Sequence, residues 1–118
     1  MAHSAAVSRL VVGPTLYRLD EENIVRPLSA TTGLQLLSQG KELGRRLLAT
    51  QLQDDRAHLM LISTVFTAFD MSGVNETPIC FETLIFGGRL NGSCWRYATF
   101  EQAVNGHRGL CLQSLLSG

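Results

Sequence analysis

The chain has 118 residues, 45% of them hydrophobic and 17% charged, with ten basic side chains balanced by ten acidic ones. That length holds one domain with one modest core, roughly 65% of the unfolded chain's surface being buried on folding. Zero net charge speaks against a nucleic-acid binder, which ordinarily carries a basic excess to neutralise phosphates, and favours self-association, so a symmetric homodimer is expected.

Nothing approaches the roughly 20 apolar residues of a membrane span, so no membrane partner is expected. Residues 1–13 carry one Arg and a short apolar run, Leu10-Val11-Val12, without the cationic start, long apolar stretch and cleavage site of a signal peptide. They read as a flexible or peripheral N-terminal arm, leaving 14–118 as a single α+β domain. Cys80, Cys94 and Cys111 are odd in number and widely spaced. Reduced thiols in a cytoplasmic protein fit that pattern better than a disulfide framework.

The elements can be taken in chain order. Thr15 to Leu19 and Ile24 to Arg26 are β-favouring runs around the polar turn Asp20-Glu21-Glu22-Asn23, a hairpin signal. Ser29 is placed to cap a short helix whose apolar stripe is Leu34, Leu36 and Leu37, with Gly40 as its stop. Residues 45–52 suit a helix or a strand; Gly40 and Gly44 weaken the helix, so a strand is preferred. Leu59 to Phe69 is β-branched, aromatic and nearly uncharged, which predicts a central strand buried on both faces. Ile79 to Phe86 follows as a strand, Asn91-Gly92 predicts a tight type I′ turn, and Trp95-Arg96-Tyr97 returns as the last strand. Thr99 and Gln102 form a capping box for a final helix with Phe100, Ala103, Val104, His107, Leu110, Cys111 and Leu115 on its packed face. The expected architecture is α+β: an antiparallel four-stranded meander packed by a C-terminal helix and a shorter N-terminal helix, with an N-terminal β-hairpin.

Several segments of the second half come in a characteristic order: Ser63-Thr64-Val65-Phe66, Asp70, Phe81-Glu82-Thr83-Leu84-Ile85-Phe86-Gly87-Gly88, Arg96-Tyr97-Ala98-Thr99 and Gly106-His107. In these the chain resembles a group of small proteins encoded by bacteriophages and prophages. Those proteins run Ser-Thr-Val-aromatic, Asp-His, Phe-Glu-Thr-Met-Val-Phe-Gly-Gly, Arg-Tyr-x-Thr and Gly-His. The resemblance covers residues 60–110 well and 15–50 loosely. It implies a phage or prophage origin and action in the host cytoplasm, and brings no activity with it. Met71 stands where the group carries His, which undercuts any metal or acid–base role for an Asp-His pair.

Five polar residues are candidates for a site: Asp70, Glu82, Arg96, Tyr97 and His107. Glu82 and Arg96 on neighbouring strands read first as an ion pair that fixes register, with Tyr97 capping it. The chemical alternative is an acid–base site of Asp70, Glu82 and His107. On an apolar helix face, His107 reads as a core histidine with one hydrogen bond. Cysteines 80, 94 and 111 and histidines 3, 58 and 107 show no metal-ligand spacing, so neither a metal nor a cofactor is expected. Cys80 and Cys111 read as core residues. Gly87-Gly88 lacks the Lys-Ser/Thr of a phosphate loop and reads as a bulge or a close backbone approach. Phe66 and Trp95 suit interface anchors or core equally.

The expected function is a non-catalytic phage-type accessory protein that binds a host or phage protein through its sheet edge or an aromatic patch. Host defence machinery, in the manner of an anti-CRISPR, or a host polymerase would be the target. The enzyme above is one alternative. A nucleic-acid-associated protein with Arg45, Arg46, Arg56, Arg89, Arg96 and Arg108 on one face is the other.

Overall fold

The computed structural model describes residues 16–53, 56–71 and 77–117; the arm expected over 1–13 lies outside the described residues. Their elements are β1 (Leu16–Leu19), β2 (Val25–Leu28), α1 (Ala30–Ser38), β3 (Arg45–Gln53), β4 (Leu59–Phe66), β5 (Phe81–Phe86), β6 (Cys94–Tyr97) and α2 (Phe100–Ser117). The strands β1 and β2 pair as a hairpin, and β3-β4-β5-β6 form an antiparallel four-stranded meander. The α+β class, the sheet, the C-terminal helix and the hairpin are those expected from the sequence.

Asp20 closes the hairpin. Its Oδ1 accepts from the amides of Glu22 at 2.8 Å and Ile24 at 2.9 Å, and its Oδ2 accepts from Arg26 Nε at 3.1 Å. The bond from the Ile24 amide, above all, holds this carboxyl below the usual carboxylate range. The hairpin docks beside the meander: the Tyr17 amide donates to Ala68 O at 2.9 Å, and Arg45 Nη2 donates to Asn23 Oδ1 at 3.0 Å.

Ser29 caps α1, its Oγ accepting from the Thr32 amide at 3.1 Å. At the other end Gly40 takes φ +75°, and the amides of Gly40 and Lys41 return to Leu37 O and Leu36 O, both at 3.0 Å. This is a Schellman motif, which satisfies carbonyls that the helix itself cannot. The one buried residue of α1 is Gly33, where a Cβ would lie 2.6 Å from Leu16 Cδ1 and 3.8 Å from Leu28 Cδ2. The buried side of α1 therefore rests on the hairpin, where packing on the four-stranded sheet was expected.

Burial along β4 alternates, with Ile62, Thr64 and Phe66 sealed and the residues between them partly open. The run from Leu59 is thus buried on one face only, and the strand stops at Phe66. Register places Leu48, Thr50, Ile62, Thr64, Phe66, Phe81, Thr83, Ile85, Trp95 and Tyr97 on the inner face. Helix α2 covers that face with Ala103, His107, Leu110 and Ser114. The Phe66 and Phe81 rings meet there, tilted by 57° with centroids 5.5 Å apart.

The connection from β5 to β6 runs from 87 to 93, longer than the two-residue turn expected. Only Gly92 of the Asn-Gly pair has positive φ, at +83°, while Asn91 Oδ1 accepts from the Gly87 amide at 2.7 Å. The side-chain bond replaces the tight turn. Gly87 itself is a close approach, as expected: at φ +87°, a Cβ there would collide with Leu59 O. Thr99 opens α2, its Oγ1 accepting from the Gln102 amide at 3.1 Å, while Gln102 Oε1 accepts from the Ala98 amide at 3.1 Å. Leu115, expected on the packed face, is 61% exposed because that face continues instead through Ser114.

Candidate functional site

The polar centre of the molecule lies between α2 and the sheet. The buried His107 ring uses both nitrogens: Nδ1 is 2.7 Å from Thr64 Oγ1 and Nε2 is 2.8 Å from Thr50 Oγ1. Thr64 Oγ1 in turn lies 2.6 Å from Thr83 Oγ1. Either neutral tautomer satisfies the whole chain. With the proton on Nδ1 the ring donates to Thr64, Thr50 donates to Nε2 and Thr64 to Thr83; with it on Nε2 the ring donates to Thr50, Thr64 donates to Nδ1 and Thr83 to Thr64. Burial lowers the His107 pKa below its ordinary value, so the neutral ring is favoured. His107 is the core histidine that the sequence suggests, with two hydrogen bonds instead of one. Thr50, Thr64 and Thr83 belong to the same network; nothing in a β-branched run marks which threonines turn inward.

Glu82 and Arg96 do meet. They are cross-strand partners, with Arg96 Nε 3.6 Å from Glu82 Oε1. They lie on the outer face of the sheet, since Glu82 alternates with the inward Thr83. The sheet therefore separates Glu82 from His107, and the trio of the alternative acid–base reading is not brought together. Tyr97 pairs with Phe81 on the inner face and so does not cap the ion pair. Its ring lies against Gly106 of α2, and its buried hydroxyl has no partner. Cys94 takes the place next to the carboxylate, its Sγ donating to Glu82 Oε1 at 2.8 Å.

Asp70 sits in a third place, in the connection from β4 to β5. Its Oδ1 accepts from the Ile79 amide at 2.9 Å, and the Met71 amide donates to Ile79 O at 2.8 Å, so the two ends of that connection are tied. Its charge adds to the effect of burial in raising the Tyr17 and Cys80 pKa values, Cys80 to about 11. Among the described residues no group of three His, Cys, Asp or Glu side chains is placed to hold a metal ion.

Phe66 is 1% exposed and belongs to the core, while Trp95 is partly buried and packs on the cluster of Ile62, Ile85 and Leu110. Cys80 is also core, Cys111 is partly covered and Cys94 is exposed. The arginines do not gather on one face. Arg45 and Arg46 begin β3, Arg56 lies beyond its far end, Arg89 is exposed in the connection from β5 to β6, Arg96 points outward from β6, and Arg108 is exposed on α2.

What the molecule does present is the outer face of the meander. Leu61 and Phe86 are cross-strand partners there, 39% and 50% exposed, and Leu59 is 58% exposed. Val65 and Leu84 share the face at half burial. An outward sheet face is ordinarily polar; here β4 and β5 set this apolar group beside the Glu82–Arg96 ion pair, with Ser63 between Leu61 and Val65 and with Ala49 and Gln51 of β3 at its edge. No helix among the described residues is long and apolar enough to cross a membrane. Compared with protein-family models, curated proteins and solved structures, the chain matches none of them.

Proposed function

We propose that this chain is a non-catalytic phage-type accessory protein that works in the host cytoplasm by docking the outer face of its sheet on another protein. The observation that carries the reading is the exposed apolar group Leu59, Leu61 and Phe86, with half-buried Leu84 beside it, which no element among the described residues covers on the face turned away from α2. Exposed apolar area of this kind has a cost in water that a protein partner removes. A host defence component, of the kind an anti-CRISPR blocks, or a host polymerase is the target class. The separation of Asp70, Glu82 and His107 supports binding over acid–base chemistry, because proton transfer needs the groups within direct or one-water reach. Among the described residues the scatter of these arginines likewise offers nucleic acid no continuous cationic surface.

The test is a capture experiment with the full chain as bait in host lysate, alongside a Leu61→Lys/Phe86→Lys variant. A protein held by the unaltered chain and released by the variant, with unchanged melting temperature, is the expected result. Recovery of nothing, or equal recovery by both baits, overturns the reading.

A further inference from the structure

We propose that the free edge of β3 pairs antiparallel with β3 of a second copy, joining two four-stranded sheets into one of eight strands. Among the described residues β3 has β4 as its only sheet neighbour, so one row of its backbone N–H and C=O groups is left without a strand. Edges of this sort are ordinarily blunted by shortness, charge or proline. The opposite edge, β6, is blunted in this way: it has four residues and carries Arg96. Strand β3 has nine, and from Leu47 to Gln53 it contains neither a charge nor a proline.

Past the bulge between Arg46 and Leu48, β3 pairs with β4 in regular register as far as Gln53. The regular stretch is long enough to accept a strand. Ala49 and Gln51 are exposed on its outer face, small or neutral side chains that put no charge beside an incoming backbone. Antiparallel pairing centred on Thr50 sets Leu48 against Leu52 of the other copy and Ala49 against Gln51, so that like faces continue across the seam. The end charges select that direction. The strand begins with Arg45-Arg46 and carries no charge from Leu47 to Gln53. Antiparallel pairing sends the cationic starts of the two copies to opposite ends of the seam, whereas parallel pairing stacks these like charges. A twofold axis through Thr50 makes the contact self-complementary and closed, which limits growth to a dimer. This edge contact does not rest on the outer-face reading.

The experiment is sedimentation of the full chain together with two double variants, Ala49→Lys/Gln51→Lys and Ala49→Glu/Gln51→Glu. The unaltered chain is expected to be a dimer, and each double variant to raise the dimer dissociation constant by at least about tenfold through like charges across the seam. Mixing the two variants should restore dimer, because each Lys then faces a Glu. A monomeric unaltered chain at about 100 μM, or a dimer indifferent to these charges, overturns the proposal. Should the double variants misfold, amide exchange on the unaltered chain decides. Protection of Leu48–Gln53 that falls on dilution supports the pairing, and concentration-independent protection overturns it. A Leu61→Lys/Phe86→Lys dimer that stays intact would keep this result separate from the docking face.

Discussion

His107 Nδ1 lies 2.7 Å from Thr64 Oγ1, so a residue of the last helix is fastened by hydrogen bond to the buried middle of the sheet. Both sides of that bond are sealed from water, which makes removing one side costly. His107→Leu leaves the Thr50 and Thr64 hydroxyls short of a partner and should lower stability by about 1–3 kcal/mol in urea unfolding. His107→Gln, which can keep one of the two bonds, should lose less. Equal losses for Leu and Gln would mean that ring packing, and not hydrogen bonding, holds the helix.

The same histidine sets a pH dependence whose sign can be worked out. Burial lowers its pKa in the folded chain, while the unfolded chain keeps the ordinary value near 6.5. Above that value both states are neutral and the residue contributes no slope. Below it the unfolded chain binds the proton first, so stability falls with pH until the folded pKa is passed. Unfolding in urea at pH 7.5 and pH 5 should therefore show a larger acid loss for the unaltered chain than for His107→Leu. Histidines elsewhere cancel in that comparison. An unaltered chain that gains stability in acid relative to the variant would contradict the neutral, buried ring.

Local features of the fold are legible in the sequence because local chemistry determines them. Ser29 and Thr99 announce helix starts through the bonds they accept, and Glu82 and Arg96 announce register through opposite charge. The polar centre is not legible in that way. Thr64 is separated from His107 by 43 positions and Thr50 by 57, and only the closed tertiary structure brings them together. The face of β4 is ambiguous for a second reason. Leu59, Leu61 and Val65 point outward and Ile62 and Phe66 inward, so apolarity alone does not choose between the two parities. That apolar outer row is what made the strand read as buried on both sides. The Asn91-Gly92 signal misleads because Asn91 uses its side chain to bond Gly87 and the loop grows to seven residues.

Two glycines of α2 should respond oppositely to the same substitution. Alanine in a helix interior usually stabilises relative to glycine by about 0.5–1 kcal/mol. Gly109 has open space where a Cβ would go, so Gly109→Ala should raise the melting temperature. At Gly106 a Cβ would run into the Tyr97 ring, so Gly106→Ala should lower it. A gain at both positions would show that Tyr97 moves aside freely. Because the Tyr97 hydroxyl is buried without a partner, Tyr97→Phe should be neutral or stabilising by up to about 1 kcal/mol.

Cys94 gives the last test, since its exposure and its reactivity should disagree. The thiol is exposed, yet its pKa is raised, first by burial of the sulfur and then by its hydrogen bond to Glu82 and that residue's charge, with Arg96 opposing. The thiolate is the nucleophile, so alkylation by iodoacetamide near pH 8 should be slow for an exposed cysteine. Glu82→Gln removes the negative charge and should speed modification, roughly two- to tenfold, whereas Arg96→Ala should slow it. Cys80, buried and pushed to about 11, should stay unmodified while the chain is folded. Peptide mass mapping over time separates the three cysteines. Faster labelling of Cys94 in the unaltered chain than in Glu82→Gln would mean that the carboxylate does not hold the thiol's proton.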